Sequence, residues 1–222
     1  MEKEISKYKE SYKRIWWINQ STITKKLVRK VVESILIRKD NFSVNDFNAL
    51  ISMTAHVKTI GPLKKIEIIT LLDINSISKK EILSLITSDV GCWGLPRQEF
   101  SDAFSNKEYL HAFKNLLKTL VFTESENTET LFMALKKFAK YEIPILQSAF
   151  ISPILYCIHP IVFPIVNRKS REVIGDYYQR KFSHKLIDYL NEREFFVKFR
   201  KDNNFLSDFR DVDGYVVWMS GL

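Results

Sequence analysis

The chain has 222 residues, 45% of them hydrophobic and 27% charged, a globular balance with enough apolar surface to fill the core of one domain. Six glycines and six prolines are too few for a turn-rich β-sandwich or barrel. The formal net charge of +8, from 34 Lys and Arg against 26 Asp and Glu, either marks a polyanionic partner or only keeps the surface solvated.

Residues 3–17 start polar and run into Ile15-Trp16-Trp17-Ile18, an apolar knot that has to dock on the core because adjacent exposed tryptophans are costly. Residues 22–38 carry the clearest helical pattern, with Ile23, Leu27, Val31 and Ile35 on one face and Lys25, Lys26, Arg29 and Lys30 on the other side. Ser21 or Thr22 is the expected cap. Residues 1–39 hold 11 Lys and Arg against 4 Asp and Glu, the densest basic stretch in the chain. Ser43 is placed to cap a helix over 44–58, with Val44, Phe47, Leu50 and Ile51 inward. Gly61-Pro62 ends it. Residues 63–72 fit helix or strand equally, and 79–87 reads as a helix capped by Ser78.

Gly91-Cys92-Trp93-Gly94-Leu95-Pro96 is the densest turn signal and a candidate sub-domain hinge near 88–96. It is no phosphate loop, because no Gly-Lys-Ser/Thr follows. Helices are then expected over 107–121, 128–141 and 145–157, with the acidic segment 123–129 as a connection. His159 to Pro164 is expected to be extended or turning, since each proline restricts the residue before it. Residues 168–200 read as one or two helices opening on Arg168-Lys169-Ser170-Arg171, and 168–201 hold 10 Lys and Arg against 5 Asp and Glu. The tail from Phe205 to Trp218 is apolar enough to dock on the core. The expected fold is mainly α: a single irregular multi-helix domain over 1–222, with a minor strand pair near 63–72 or 214–218 as the only β element the pattern allows.

Few motifs carry chemistry. The four histidines (His56, His111, His159 and His184) include no local ligand pair, and Cys92 and Cys157 lie far apart. Neither a metal nor a cofactor is expected, and the thiols read as buried and free. No Gly-x-Ser-x-Gly elbow is present. Asp208, Asp211 and Asp213 lie within six residues. Carboxylates so spaced can hold Mg²⁺ in a nuclease, which makes Asp211 and Asp213 the catalytic candidates if the chain is an enzyme. A capped C-terminal turn would use them equally well. Trp16 and Trp17, followed by Asn19, Gln20 and the lysine face of 22–38, combine rings that stack bases, amides that read adenine edges and cations that meet phosphates. The same tryptophans also suit a core. The N-terminal Met1-Glu2-Lys3-Glu4 lacks the apolar run of a signal peptide. Ala149 to Val166 is broken by three prolines and His159, so no membrane span and a cytoplasmic location are expected.

Three segments carry a family resemblance: Trp16-Trp17-Ile18-Asn19-Gln20; Phe150 to Pro160 continued by Phe163-Pro164-Ile165-Val166-Asn167; and Phe209-Arg210-Asp211-Val212-Asp213-Gly214-Tyr215-Val216-Val217-Trp218. They resemble the helical N-terminal regions of methylcytosine-dependent (McrB-type) restriction proteins and related stand-alone prokaryotic proteins. The helix-then-turn arrangement is also similar to helix–hairpin–helix DNA glycosylases, although Asn167 stands where those carry a catalytic Asp. The resemblance implies a helical, DNA-associated, defence-linked module, with a partner protein of a defence system in prospect. On this reading Lys25, Lys26, Arg29, Lys30, Arg168, Lys169 and Arg171 contact phosphates, while Trp16, Trp17, Asn19, Gln20 and Asn167 form a pocket or base contact. The alternatives are a glycosylase-like or nuclease enzyme, and a protein-interaction module without nucleic acid.

Overall fold

A computed structural model of the chain describes residues 2–38, 40, 42–47, 50, 105–144 and 146–221. Among these, α1 spans Glu2–Lys9, α2 Tyr12–Arg38, α3 Lys107–Phe122, α4 Thr128–Ala139, α5 Ser148–Ile158, α6 Arg168–Tyr177, α7 Tyr189–Asp202 and α8 Phe209–Met219. A single 3₁₀ turn, Leu186–Asp188, leads into α7. The mainly α expectation holds. Among the described residues there is no strand, only an isolated antiparallel bridge between Gln147 and Lys185. Residues 214–218, one of the two places expected to allow a strand, are helical, because Asp208 caps the segment and its side chain accepts the Arg210 and Asp211 N–H groups at 2.9 Å. The expectations over 51–104, including the helix at 79–87, Cys92 and the 88–96 hinge, lie outside the described residues.

The long helix α2 is the axis of the packing. It lies against α3, α5 and α8 and buries Leu27, Val28, Val31 and Val32. It begins at Tyr12, well before the expected start at residue 22. Ser11 supplies the cap, its hydroxyl accepting the Arg14 N–H at 3.2 Å. Ser21 and Thr22 are not caps: their hydroxyls donate back to the Ile18 carbonyl at 2.9 and 3.1 Å, the mid-helix alternative open to these residues. Ser43 does cap the next segment, where 44–47 are helical. The Ser43 hydroxyl accepts the Asp46 N–H at 3.3 Å and the Asp46 carboxylate accepts the Ser43 N–H at 2.9 Å.

Helix α5 is buried from Ile151 to Ile158 despite Pro153, and Cys157 lies within that buried stretch. Ser152 ties α5 to the proline-punctuated segment after it: its hydroxyl accepts the Val166 N–H at 3.0 Å and donates to the Val166 carbonyl at 3.2 Å. His159 ends α5 under α3, with Nε2 facing the Leu120 carbonyl and Nδ1 at 2.9 Å from the Ser125 hydroxyl. A carbonyl only accepts, so the proton sits on Nε2, and burial pushes the ring's pKa down.

The two ends of the described chain meet at Asp211. Arg14 of α2 donates to both carboxylate oxygens at 2.9 and 2.7 Å, the Tyr8 hydroxyl donates at 2.7 Å, and the Ser207 N–H donates at 2.8 Å. Burial would raise this carboxyl, but these donors outweigh it and hold it below the ordinary carboxylate range. Close by, Gly214 lets α8 approach the N-terminal rings: a Cβ built there would sit 2.7 Å from the Trp17 ring and 2.9 Å from the Tyr8 hydroxyl.

Two outcomes follow for urea unfolding. Gly214→Ala should destabilise the protein by about 1–3 kcal/mol through overpacking, even though alanine is the better helix former. Asp211→Asn should cost about 3 kcal/mol, because it leaves Arg14 beside a neutral group in a mostly buried pair. Equal midpoints for wild type and either variant would contradict the corresponding packing.

Candidate nucleic-acid interface

The basic residues expected from the sequence take three different places. Lys25 leans on the core, 3.6 Å from the Asp208 carboxylate and 5.4 Å from the centre of the Tyr156 ring. Arg29 pairs with Glu33 on its own helix at 3.1 Å, Lys26 is exposed and Lys30 half-buried. Arg168 and Lys169 are exposed at the start of α6, while Arg171 is buried. Of the pocket candidates, Trp16 and Trp17 are half-buried, and Trp17 packs on the core beneath the Arg210 guanidinium at 5.5 Å. Asn19 is exposed on α2, and the side chain of Gln20 lies outside the described residues.

Asn167 caps α6, accepting the Ser170 N–H at 3.0 Å, and its amide donates to the Asp213 carboxylate. Asp213, which also takes a bond from Arg210, is fully enclosed, and burial raises its carboxyl. The structure therefore does bring Trp17, Asn167 and Asp213 near one another, but as a packed junction between α2, α6 and α8. Asp211 is equally enclosed, with both carboxylate oxygens bonded. Among the described residues no group of histidine, cysteine and carboxylate side chains is arranged to hold a metal ion. Nor is any helix among them long and apolar enough to cross a membrane.

A cleft of about 640 Å³ opens elsewhere, along α6. One wall is a helical stripe, Arg168, Arg171, Glu172, Gly175 and Asp176, whose spacing of three and four puts them on one face, continued by Gln179 just past the helix end. The other wall is Arg180 to His184, folded back along the helix. Two features make the reversal. Gln179 adopts φ 52°, the left-handed conformation that ends a helix. Arg180 donates its N–H to the Gly175 carbonyl at 2.8 Å, and the bare Gly175 admits the returning backbone, since a Cβ there would lie 2.6 Å from the Arg180 carbonyl oxygen. The reversal adds Arg180, Lys181 and His184 to Arg168 and Arg171. Four cationic side chains thus face two carboxylates, Glu172 and Asp176.

The floor is rigid. Buried Arg171 donates to the Ser148 hydroxyl and, at 3.1 Å, to His184 Nδ1, and its Nε lies 3.8 Å from the Glu192 carboxylate. Glu192 in turn accepts the Ser183 N–H, and the His184 carbonyl accepts the Ser148 N–H at 3.2 Å. Burial pushes the Glu192 carboxyl up to about 7, against the pull of the Ser183 N–H and the Arg171 charge, with Asp188 adding to the rise. By contrast, the Arg168–Glu172 pair at the rim is 84% and 57% exposed, so it is worth little and leaves the guanidinium available to a ligand.

Charge counting over 168–201 pointed to this region, but Arg180, Lys181, His184 and Glu192 were not singled out. Their convergence depends on the turn at 178–180, which carries no glycine or proline to announce it. No protein-family model, curated protein or solved structure matches the chain.

Glu192 makes the floor sensitive to pH. Its folded-state pKa of about 7 exceeds the ordinary 4.5, so the folded protein holds this proton longer than the unfolded chain. The resulting stability is complete below the ordinary value and is lost as pH rises toward 7. Comparing melting temperatures of wild type and Glu192→Gln isolates the effect. The difference between them should shift against the wild type by on the order of 5 °C between about pH 5 and about pH 8, and a constant difference would show that Glu192 titrates normally.

Proposed function

We propose that this chain is a helical DNA-binding module whose phosphate contacts come from the α6 cleft. The observation that carries the reading is the gathering of Arg168, Arg171, Arg180 and Lys181 around one cleft with a fixed floor. Phosphates are met by guanidinium and ammonium groups, and a cleft in which four cations outnumber two carboxylates gathers more positive field than the same charges dispersed over a surface. Arg168, Arg180 and Lys181 reach solvent and supply the contacts. Arg171 stays in the floor, where it sets the shape. Exposed Lys26 and Arg29 on α2 are a second contact surface of the same sign. The resemblance to the helical regions of McrB-type restriction proteins supports a defence setting, in which a partner protein would supply the catalysis. The nuclease and glycosylase alternatives rest on Asp211 and Asp213, whose carboxylates are occupied in holding helices together.

Fluorescence anisotropy with labelled duplex and single-stranded oligodeoxynucleotides across a salt series tests this reading. Affinity should fall with salt, with a log–log slope approaching −0.9 per phosphate contact on duplex, and Arg180→Ala with Lys181→Ala should reduce that slope by about 2. If the double variant binds as the wild type does while Lys26→Ala with Arg29→Ala does not, the contacts belong to α2. Absence of binding at low salt to both forms removes the DNA reading.

A further inference from the structure

The wall of the cleft continues into a row of aromatic rings between α6 and α7. The Arg180 guanidinium lies 5.9 Å from the centre of the Phe195 ring, Phe195 is 5.6 Å from Tyr178, and Tyr178 is 4.8 Å from Tyr177. Phe182, which also lines the cleft, touches Phe195 at 5.5 Å. The inner rings are packed, but the row ends in the open: Tyr177 is 55% exposed.

This exposed ring is held in position. Tyr178 and Phe199 meet it at 81° and 85°, edge-to-face contacts at 4.8 and 5.2 Å that fix the ring plane. Tyr178 is itself anchored, its hydroxyl donating to Asp202 at 2.7 Å. Lys198, 5.0 Å from the Tyr178 ring centre, adds a cation beside the row. An exposed aromatic ring at the end of a row that carries Lys198 on Tyr178 and Arg180 on Phe195 offers two things at once: a surface for a base and, further along the row, charge for a phosphate of the same strand. A duplex can use only the second, because its bases are already stacked on one another.

We propose that the preferred ligand is single-stranded DNA, with its backbone in the α6 cleft and a base stacked on Tyr177. This rests on the reading of the cleft as a phosphate site and specifies the ligand of that site. The ring row sets the geometry: from Arg180 to Tyr177 the path runs through two intervening rings, so a strand whose phosphate meets Arg180 places a base at Tyr177 within a few nucleotides.

The test uses the whole chain with three labelled probes: a short oligothymidylate, a duplex of equal length, and an abasic oligomer that keeps the phosphates but has no bases. The expected order is oligothymidylate tighter than both others at matched salt. Tyr177→Ala should weaken oligothymidylate binding by between about fivefold and a hundredfold, the loss seen when a base-stacking ring is removed. Its salt slope and its abasic affinity should not change. Tyr177→Phe, which keeps the ring, should bind like the wild type. Thermal melting of each variant checks that the exposed position is tolerated. Salt-dependent binding with duplex equal to or tighter than single strand, or with Tyr177→Ala unaffected on oligothymidylate, overturns the single-strand proposal and leaves the phosphate cleft standing. Loss of salt-dependent binding to every probe overturns both.

Discussion

The carboxylate of Asp211 is the constraint on which the rest of the structure depends. Tyr8 of α1, Arg14 of α2 and the Ser207 backbone before α8 converge on it from opposite ends of the chain. A buried charge of this kind is tolerable only when its lone pairs are all engaged, and removing one donor leaves the others misdirected. Its geometry therefore fixes how α8 crosses α2, and the glycine at 214 allows the crossing to be close enough for Trp17 and Tyr8 to pack against α8. The tryptophan-bearing turn of α2 is thus held by the C-terminal helix, against which Trp17 packs.

The position of α8 then sets α6. Asp213 points away from Asp211 and binds Asn167, the residue that caps α6. The start of the cleft helix is in this way referred to the same C-terminal element that anchors the N-terminus. The far wall is referred to α5 and α7 instead, through Ser148, Arg171, Glu192 and the segment 183–184. A cleft whose two walls are secured by separate polar networks keeps its shape without a ligand. Preorganisation of this sort lowers the ordering cost of binding a flexible strand.

Helices with regular apolar spacing and a capping residue were readable from the sequence, because both signals are local: α3 and α4 appear at nearly the expected limits, and Ser43 caps as expected. Where tertiary contacts decide, reading failed. Ser21 and Thr22 have cap chemistry but sit inside α2, since the preceding Trp16-Trp17 segment gains more by packing as helix than the two hydroxyls gain as caps. The stretch 214–218 has β-favouring Tyr, Val and Trp residues, yet the Asp208 cap and the Asp211 network make it helical. The cleft was half legible. Arg168 and Arg171 stood out as a basic helix start, but Arg180, Lys181 and His184 reach them only because Gln179 takes a left-handed backbone that nothing in its residue type announces.

The contrast between α2 and the cleft shows why a run of charge in a sequence is weak evidence for a polyanion site. The N-terminal stretch is the more basic by count, but part of that charge is drawn into the structure: Arg14 into Asp211 and Lys25 towards Asp208 and Tyr156, while Arg29 meets Glu33 in an exposed pair. Around α6 one arginine, Arg171, is drawn inward in the same way, and its burial organises the others. By holding His184 and sharing Glu192 with the Ser183 backbone, it brings the Arg180–Lys181 segment back alongside Arg168. The exposed Arg168–Glu172 pair at the rim is weak enough to exchange for a phosphate, while Arg171 and Glu192, buried 3.8 Å apart, are each held by other bonds: Arg171 to Ser148 and His184, Glu192 to the Ser183 N–H. The same chemical groups therefore divide the work by depth, with the buried pair maintaining the cleft and the exposed pair available to the ligand.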